Sequence, residues 1–536
     1  MSSIAATSGS FSPPRTESAP NPWLTAIVVS IATFMEVLDT TIANVALPYV
    51  AGGLAVSLDE ASWVVTTYLV ANAVALTVSS FLARQFGRRP FYLVCVALFT
   101  VSSVLCAFAW NIQSLLLFRV LQGLGGGGMV PLSQSILADA FPPEKRGQGF
   151  AVFGVAVVVA PVVGPTLGGW LSDNWGWEWC FLINGPVGLL SIVLVSLFVR
   201  ESAVAIAQRN ALKASGIRFD LVGFILVATF LGSLEVVLDR GQEDDWFGST
   251  FIITFAVICA LAFIAMIPWE MTRKNPVIEI RLVATRHLGS CFLVMLATGA
   301  ILYATTQFLP QLVQEAFGYT ATWAGLVLSP GGLVTMIMMF VVGRLTTRIQ
   351  PKYLIAAGAA VAATAMYDLT NLNADSSFGF FALSRMYLGL GLPLIFVPII
   401  TASYYGIPPE KTDQVSALMN AARNIGGSMG VSLAVNVLAH RSQFHQSRLV
   451  EQVAPTSPGY QDTMHRVLEY FMAQGSPMVE AQRQAFDWIG QQVQMQAMLL
   501  AYIDVFWTLA VVSCLAIPLA LMLRSIELEG GRPAAH

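Results

Sequence analysis

Residues 23–47 read WLTAIVVSIATFMEVLDTTIANVAL, and the only ionisable side chains in this apolar stretch are Glu36 and Asp39. About 20 apolar residues in a helix cross the hydrocarbon core of a bilayer, so the stretch predicts a transmembrane helix. A carboxylate near the bilayer centre costs on the order of 3 kcal/mol on insertion scales, and such groups usually serve a function in a watery, protein-lined interior. We therefore expect Asp39 to bind and release protons. The alternative is an acid satisfied by local hydrogen bonds or lining a wet cavity mouth.

The whole chain is similarly apolar. Of its 536 residues, 56% are hydrophobic and 11% are charged, whereas soluble domains carry about 25% charged residues. This composition predicts an all-α polytopic membrane protein. The net charge of −3 gives no indication of nucleic-acid binding. Because the sequence has no metal-ligand spacing and no histidine in a predicted span, we expect no metal, no cofactor and no enzymatic activity.

Fourteen apolar runs are long enough to predict membrane-spanning helices. They lie near residues 23–47, 61–82, 90–109, 112–137, 148–170, 178–199, 219–238, 249–269, 288–310, 322–343, 353–372, 377–405, 413–439 and 497–523. With the N-terminus inside, most of the 28 Lys and Arg residues fall in cytoplasmic segments. Positive residues favour the cytoplasmic side of a membrane, so we expect both termini to be cytoplasmic, which requires an even number of spans.

Two parts of the chain match each other 266 residues apart. The pattern Arg-x-x-x-Gly-x-Gly begins at Arg119 and again at Arg385, and Pro-Pro-Glu-Lys occupies residues 142–145 and 408–411. Matches in the same order indicate a duplicated six-helix unit, an architecture typical of alternating-access transporters whose substrate site lies between the halves. The two spans between residues 219 and 269 have no counterpart and look inserted.

This pattern predicts a domain organisation of two six-helix halves plus two inserted helices. The predicted units are a disordered cytoplasmic tail (1–20), an N-terminal bundle (21–200), the inserted pair with flanking loops (201–287), a C-terminal bundle (288–526) and a C-terminal tail (527–536). The C-terminal bundle contains a polar outer segment, residues 440–496, with helical spacing of apolar residues. We expect this segment to be either a surface loop with one or two amphipathic helices or a docking element for a partner outside the cytoplasm.

Five segments carry a resemblance to a known family. They are LDTTIANVALP at 38–48, RVLQG at 119–123, Gly154-x9-Gly164-Pro165-x-x-Gly168-Gly169, WEWCFLINGP at 177–186 and LDRG at 238–241. Together they resemble the major facilitator superfamily, and within it the fourteen-span drug:proton antiporters of the EmrB/QacA type. The first-span and 177–186 segments are most similar to the EmrB branch.

The resemblance implies proton-coupled efflux of hydrophobic or amphipathic drugs by alternating access, and a multi-pass location in the inner (cytoplasmic) membrane. It further implies a periplasmic adaptor of the membrane-fusion type, working with an outer-membrane channel. A narrow-substrate exporter of a metabolite, siderophore or peptide on the same scaffold is the alternative. A membrane-embedded enzyme or receptor is disfavoured, because the sequence offers no nucleophile or metal cluster.

One segment departs from the superfamily pattern. The loop between spans 2 and 3 usually reads G-x-L-x-D-R-x-G-R-[KR], whereas residues 80–89 read SFLARQFGRR, with Arg84 at the acid position. The usual acid–base latch at the cytoplasmic gate is therefore not expected in its standard form. Of the gate-loop residues Arg84, Gly87, Arg88 and Arg89, the last two are expected to bind free carbonyl groups at a helix C-terminus.

Four residues are candidates for proton coupling. Glu36 and Asp39 are three residues apart and therefore share a helix face, and Glu36 has the alternative role of contacting a cationic substrate. Arg119 has no charged neighbour inside its span, so we expect it to pair with Asp39 directly or through Gln122 and water, the alternative being a helix-packing arginine. Glu235 is a candidate second titratable site, while its neighbour Asp239 is expected to pair with Arg240 or to cap the turn.

Polar, aromatic and methionine residues in the spans predict a pocket for varied apolar ligands. The substrate-binding candidates are Asn44, Gln122, Tyr303, Gln307, Phe308, Met419 and Asn420. Small and kinking residues in span 5 predict close helix packing, a hinge or a proton-tight seal. These residues are Gly154, Pro161, Gly164, Pro165, Gly168 and Gly169. For Arg385 and Arg423, packing roles are the leading interpretation.

Overall fold

The computed structural model describes residues 21–525 except 202–204, 208, 211–219, 274–275 and 409–410. The predicted tails at 1–20 and 527–536 lie outside this range, as do Pro409 and Glu410 of the second Pro-Pro-Glu-Lys repeat. The described residues form an all-α structure and contain no β-strand.

The N-terminal half begins at Pro22 and ends at Phe198. Its helices are α1 (Pro22–Leu54), α2 (Leu58–Phe86), α3 (Arg88–Ala107), α4 (Ile112–Ala140), α5 (Arg146–Asn174), α6 (Glu178–Leu182) and α7 (Asn184–Phe198). Local sequence explains several of their starts. Ser57 and Glu60 form a capping box at α2, Asn111 and Ser114 do the same at α4, and such pairs satisfy the free N–H groups of a helix start.

The inserted pair and the C-terminal half follow. Their helices are α8 (Leu221–Arg240), α9 (Thr250–Thr272), α10 (Ile280–Val283), α11 (Arg286–Glu315), α12 (Ala321–Leu345), α13 (Pro351–Leu369), α14 (Phe378–Ser403), α15 (Thr412–Gln452), α16 (Pro458–Ala473) and α17 (Met478–Leu521). Among the described helices, twelve are long and apolar enough to cross a membrane. The other two predicted spans are also helical and correspond to α13 and α15.

The packing of the two halves repeats with the same offset as the sequence. Helix α1 packs on α5 and α2 packs on α4, while their counterparts α11 and α12 pack on α15 and α14. The halves meet where α5 contacts α12 and where α2 contacts α15. A shift of 266 residues along the chain takes α5 to α15 and α2 to α12. The contact between α5 and α12 therefore corresponds to the contact between α15 and α2. The duplicated sequence thus corresponds to a duplicated structure.

Outside the bundles, two features stand apart. The inserted helices α8 and α9 pack on each other, and α8 also contacts α2 and α15. The outer segment is largely helical, because α15 continues to Gln452 and α17 already begins at Met478, with α16 between them. This agrees with the helical spacing predicted there.

Candidate functional site

Asp39 and Arg119 form an ion pair inside the N-terminal half. Nη1 of Arg119 lies 2.7 Å from Oδ2 of Asp39, and the two residues are 0% and 1% exposed. A pair buried this deeply depends on both charges being present, because removing one leaves the other uncompensated. The side-chain geometry can therefore link the charge of Asp39 to the position of α4.

Two amide side chains complete the surroundings of the Asp39 carboxylate. Nε2 of Gln122 donates to Oδ1 at 2.9 Å, and Nδ2 of Asn184 donates to the same oxygen at 2.6 Å. Oε1 of Gln122 accepts from Arg119 at 2.8 Å, so the direct pair and the Gln122 bridge coexist. Asn184 was not a predicted site residue, although it belongs to the WEWCFLINGP motif.

Arg119 is held by further contacts. Its Nε donates to the Val64 carbonyl oxygen at 3.0 Å, and its guanidinium lies 4.3 Å from the centre of the Tyr68 ring and 5.5 Å from that of Phe181. Aromatic faces attract cations at such distances. Helices α2, α4 and the α6 segment therefore all contribute to placing this charge beside α1.

Glu36 lies on the same helix as Asp39 but in different surroundings. Its Oε1 accepts from the Tyr68 hydroxyl at 3.2 Å and from Nδ2 of Asn72 at 3.1 Å. Its Oε2 is buried without a hydrogen-bond partner, and the side chain lines a cavity between the halves. Glu36 is thus the carboxylate that faces the cavity, while Asp39 is enclosed behind it.

Two adjoining cavities lie between the halves. The inner one has a volume of about 210 Å³ and is lined by Glu36 and Glu235. The outer one has a volume of about 530 Å³. Asn44, Tyr303 and Gln307 line both, and these three were predicted substrate-binding residues. Ligand sites typically have volumes of about 300–1,000 Å³, so the two compartments together can hold a drug-sized molecule.

Four other predicted substrate residues do not line either cavity. The structure places Gln122 in the Asp39 network, and Phe308 packs edge-on against Tyr502 with ring centres 6.5 Å apart. Met419 is 1% exposed, and Asn420 donates to Oε1 of Gln134 at 2.9 Å. Composition identifies a polar or soft residue in a span, but not the helix face it occupies, so a substrate-binding role for these four residues stays a prediction.

Glu235 lies at the boundary between the inserted helix and the C-terminal half. The Ser428 hydroxyl donates to its Oε1 at 2.7 Å. Asp239 does not form the expected ion pair with Arg240 and instead accepts a hydrogen bond from Thr66 of α2. Arg240 forms an ion pair with Asp59 at 2.6 Å. Helix α8 is therefore fastened to α2 through several polar contacts and to α15 through the Glu235–Ser428 bond.

The glycines of α5 allow close packing on two sides. A methyl group at Gly164 would overlap the Thr41 side chain of α1, and one at Gly168 would lie 3.3 Å from Ile42. At Gly154 it would lie 2.8 Å from Sδ of Met339 in the other half. The other members of the motif take two positions: Gly169 is buried, and Pro161 and Pro165 line the outer cavity. The motif thus borders α1, the cavity and the interface between the halves.

Arg88 closes the bundle at the end predicted to be cytoplasmic. It forms an ion pair with Asp139 at the end of α4 and, through Nε, one of 2.8 Å with Oδ1 of Asp413 at the start of α15. The expectation that Arg88 would bind free carbonyl groups was wrong, because two acids reach it. Arg89 does bind a carbonyl, that of Ser196 near the end of α7, at 2.6 Å.

The remaining gate-loop residues have local roles. Arg84, at the usual acid position, donates to the carbonyl of Ser80 at 3.3 Å, and Gly87 joins α2 to α3 with a φ of 101°, which favours glycine. The acid missing from the loop is supplied by Asp413 of the other half. Further contacts close the same end, including a 2.8 Å hydrogen bond between the hydroxyls of Ser135 and Ser416.

Comparison with known proteins places this geometry in a family. Residues 29–431 match the model of the Major Facilitator Superfamily. The chain is 37% identical to the multidrug export protein EmrB of Haemophilus influenzae, over 90% of this chain and 92% of that protein. It is 36% identical to EmrB of Escherichia coli K12, over 90% and 91% of the two chains.

A solved structure has the same fold. The human organic anion transporter MFSD10 matches with a TM-score of 0.59 at 15% identity, covering 94% of this chain and 100% of that one. At this identity the match concerns the fold alone.

Proposed function

The chain belongs to the major facilitator superfamily, and on that basis we propose that it is a proton-coupled exporter of hydrophobic and amphipathic compounds that works by alternating access. It is a multi-pass transporter of the inner membrane and not an enzyme. The relatives it matches include the multidrug export proteins EmrB of Haemophilus influenzae and Escherichia coli, which supports drugs as the substrate class.

The observation that carries the proposal is the enclosed Asp39–Arg119 pair next to a cavity between the halves. Protonation would neutralise Asp39 and leave Arg119 with only neutral partners, namely Gln122 and the Val64 carbonyl. Because a buried unpaired charge is costly, α4 and α1 would shift relative to each other. Helix α1 packs on α5, which lines the outer cavity, so the shift reaches the substrate space.

The available driving force is sufficient for uphill export. A membrane potential supplies roughly 2.3 kcal/mol per charge per 100 mV, and a pH gradient adds about 1.4 kcal/mol per unit. Together they can sustain a substantial concentration gradient of substrate for each proton taken up.

Proton flux in proteoliposomes with a panel of lipophilic dyes tests the proposal. Asp39→Asn should abolish proton-driven dye efflux while leaving membrane insertion intact, and Asp375→Asn, an exposed loop acid, serves as the matched control. Unchanged efflux in Asp39→Asn would refute the coupling role. Response to a single dye and to no unrelated compound would favour the narrow-substrate exporter instead.

We also propose that the outer helices dock a periplasmic adaptor, which in turn reaches an outer-membrane channel. Support comes from the amphipathic α16, where Tyr470 is 59% exposed, and from Phe486 on α17, which is 63% exposed. Copurification with a co-expressed membrane-fusion adaptor, using Tyr470→Ser with Phe486→Ser, tests this. Exposed apolar side chains at an interface contribute much of its binding energy, so recovery should fall; equal recovery argues against docking.

A further inference from the structure

Three carboxylates form a row on one face of the inserted helix α8 and of the turn that follows it. Glu235, Asp239 and Glu243 are spaced four residues apart, and side chains at this spacing are neighbours on a helix surface, with Cβ atoms about 5–6 Å apart. The N–H of Asp244 donates to the Arg240 carbonyl at 3.0 Å, so the helical turn continues beyond α8. This carboxylate row therefore extends about 12 Å along the helix axis.

The carboxylate row leads from the surface into the inner cavity. All three of its members line that cavity, together with Glu36 of α1. The Glu243 side chain is 49% exposed, and Asp239 is partly buried. Glu235 and Glu36 are each 7% exposed. Exposure thus falls step by step from the end of α8 predicted to face outside to the middle of the protein.

The outer entrance of the row is negatively charged. Three acids form ion pairs with the same base, Arg240. They are Asp59 at 2.6 Å, Glu243 at 2.5 Å and Asp244 at 3.3 Å, so their charges exceed that of the arginine. A cleft lined by negative charge raises the local concentration of cations, and hydronium is one of them. The first acid of the row therefore lies where protons from the outer solution concentrate.

The inner end of the row shares a cavity with the acid next to the Asp39 network. A water molecule takes up about 30 Å³ in the liquid, so a cavity of about 210 Å³ can hold several between Glu235 and Glu36. Oε2 of Glu36 is buried without a hydrogen-bond partner and is free to accept. Tyr68 links Glu36 to the network, because its hydroxyl donates to Glu36 at 3.2 Å and its ring lies against Arg119.

The other ionisable side chains of this cavity do not carry protons near neutral pH. Among the described residues that line it, they are Tyr68, Tyr303 and Arg423. Tyrosine is neutral at pH 7 and arginine stays protonated. Arg423 attracts the Glu36 carboxylate. The carboxylates are therefore the side chains of this cavity that can take up and release protons.

We propose that the carboxylate row is a proton-entry path that delivers protons from the outer solution to Glu36 and from there to Asp39. The inference rests on the proposed export function for the role of Asp39. Protonatable side chains in series act as proton relays in membrane proteins. A proton binds the outermost carboxylate, passes inward along the row and crosses the cavity water to Glu36, and each carboxylate regains its negative charge when it releases the proton. Protons enter beside α8, while the outer cavity stays available to the substrate.

Dye transport by proteoliposomes that contain Asp239→Asn tests the path. Asparagine can still accept the hydrogen bond from Thr66 but cannot relay a proton, so efflux driven by a proton gradient should slow by about a hundredfold, the lower end of what a positioned proton donor contributes. Exchange of labelled for unlabelled dye at equal pH moves no net protons and should slow far less. Asp239→Glu restores a carboxylate and should recover part of the driven efflux.

Two control variants separate proton transfer from the attachment of α8 to α2. Thr66→Val removes the hydroxyl that donates to Asp239 but leaves the carboxylate in place. Asp244→Asn removes an acid of the same turn that does not line the cavity. Driven efflux should stay near wild type in both. Melting temperatures identify any variant that has lost the native fold, and Glu235→Gln provides the same test if Asp239→Asn is one of them.

The outcomes distinguish the path from the export function. Driven efflux at the wild-type rate in Asp239→Asn would overturn the path, and so would an equal loss in Thr66→Val or an equal slowing of dye exchange. The export function is judged on the wild type and Asp39→Asn, so it stands if the first shows driven efflux and the second does not, whatever Asp239→Asn shows. Absence of driven efflux in the wild type would overturn both.

Discussion

At the level of single side chains, the buried Asp39 carboxylate accepts hydrogen bonds from three side chains. Arg119 and Gln122 come from α4, and Asn184 comes from α7. Each charge-assisted hydrogen bond contributes about 1.5–3 kcal/mol. The network therefore stabilises the folded half and at the same time makes it sensitive to a proton on one carboxylate.

The Asp39–Arg119 pair predicts a specific pattern in a double-mutant cycle. Arg119→Gln alone should destabilise the protein by about 3–5 kcal/mol, because it leaves Asp39 buried without its counter-charge. Adding Asp39→Asn should recover much of that stability but not proton-driven efflux. Thermal unfolding in detergent and dye efflux, measured on the same preparations, provide the two readouts.

The control for this cycle is Asp39→Asn combined with an unrelated change at the exposed Arg448, Arg448→Gln. Recovery of stability in that combination too would mean that the coupling energy does not belong to the buried pair.

Asn184 predicts a smaller effect from the same network. Asn184→Ala removes donors to Asp39 and to the Ser103 hydroxyl, the latter at 2.9 Å. We expect a loss of about 1–3 kcal/mol in stability and a severalfold slower efflux. Asn174→Ala removes an amide that only donates to the Trp170 carbonyl at the surface and should leave both quantities near wild type; if the two variants match, the role of Asn184 is contradicted.

The sequence predicted part of this site because some of its relations are local. Arg119 and Gln122 are three residues apart on one helix, and two charges in apolar runs need a partner. Asn184 is 145 residues from Asp39, and one asparagine in a span does not identify its neighbour. Arg423 was interpreted as a packing residue for the same reason, since its place in the wall of the inner cavity becomes visible only in the folded chain.

At the level of helices, α5 is the element whose sequence most constrains its packing. Gly164→Ala should force α1 away from α5, because the added methyl group meets the Thr41 side chain, and overpacking costs about 1–3 kcal/mol. Gly52→Ala is the matched control, since a methyl group there meets no atom within 4 Å. Melting temperatures measured in detergent should fall for the first variant only.

A second change sharpens this test. Thr41→Gly in the Gly164→Ala background removes the obstructing side chain and should restore part of the melting temperature. If the double variant is no more stable than Gly164→Ala, the loss has another cause than contact between α1 and α5.

The positions of the helices were predictable, and several of their ends were not. Long apolar runs predict spans by length, and every predicted span is helical in the structure. Helices α15 and α17 extend far beyond the apolar runs at 413–439 and 497–523, because their polar continuations keep helical spacing without being hydrophobic. Hydropathy indicates which part of a helix can lie in the lipid, but it does not indicate where the helix ends.

At the level of the complete protein, Arg88 joins the two halves at one end. It contacts Asp139 of its own half and Asp413 of the other. Asp413→Asn should weaken the link between the halves by about 1.5–3 kcal/mol, which shifts the balance toward the state open at that end by roughly ten- to hundred-fold. Spin labels on Phe86→Cys and Ile349→Cys, with Cys514→Ser, would report longer distances.

Asp139→Asn is the control for this experiment. It weakens a contact within the N-terminal half and should lower thermal stability without lengthening the distance between the halves. A similar distance distribution in both variants would mean that Arg88 does not act as a latch.

The contact between Arg88 and Asp413 could not be predicted from the sequence. The loop at 80–89 departs from its family pattern at Arg84, and that departure argued against a latch of the standard form. The structure supplies the acid from Asp413, more than three hundred residues away. Repeats at a fixed offset predict which helices correspond, but they do not predict a side-chain pair that breaks the symmetry between the halves.

Helix α8 has more polar contacts with α2 than with α15, and this difference has a consequence for the route of the substrate. Thr66 and Asp59 of α2 bind α8 through a hydrogen bond and an ion pair. Among the described residues, one side-chain hydrogen bond, between Glu235 and Ser428, joins α8 to α15. When the two halves move apart, we expect α8 and α9 to move with the N-terminal half. The contact between α8 and α15 then opens. A groove of about 550 Å³ lies there between Trp246 and Trp507. Through it an amphiphile would pass laterally into the outer leaflet of the bilayer.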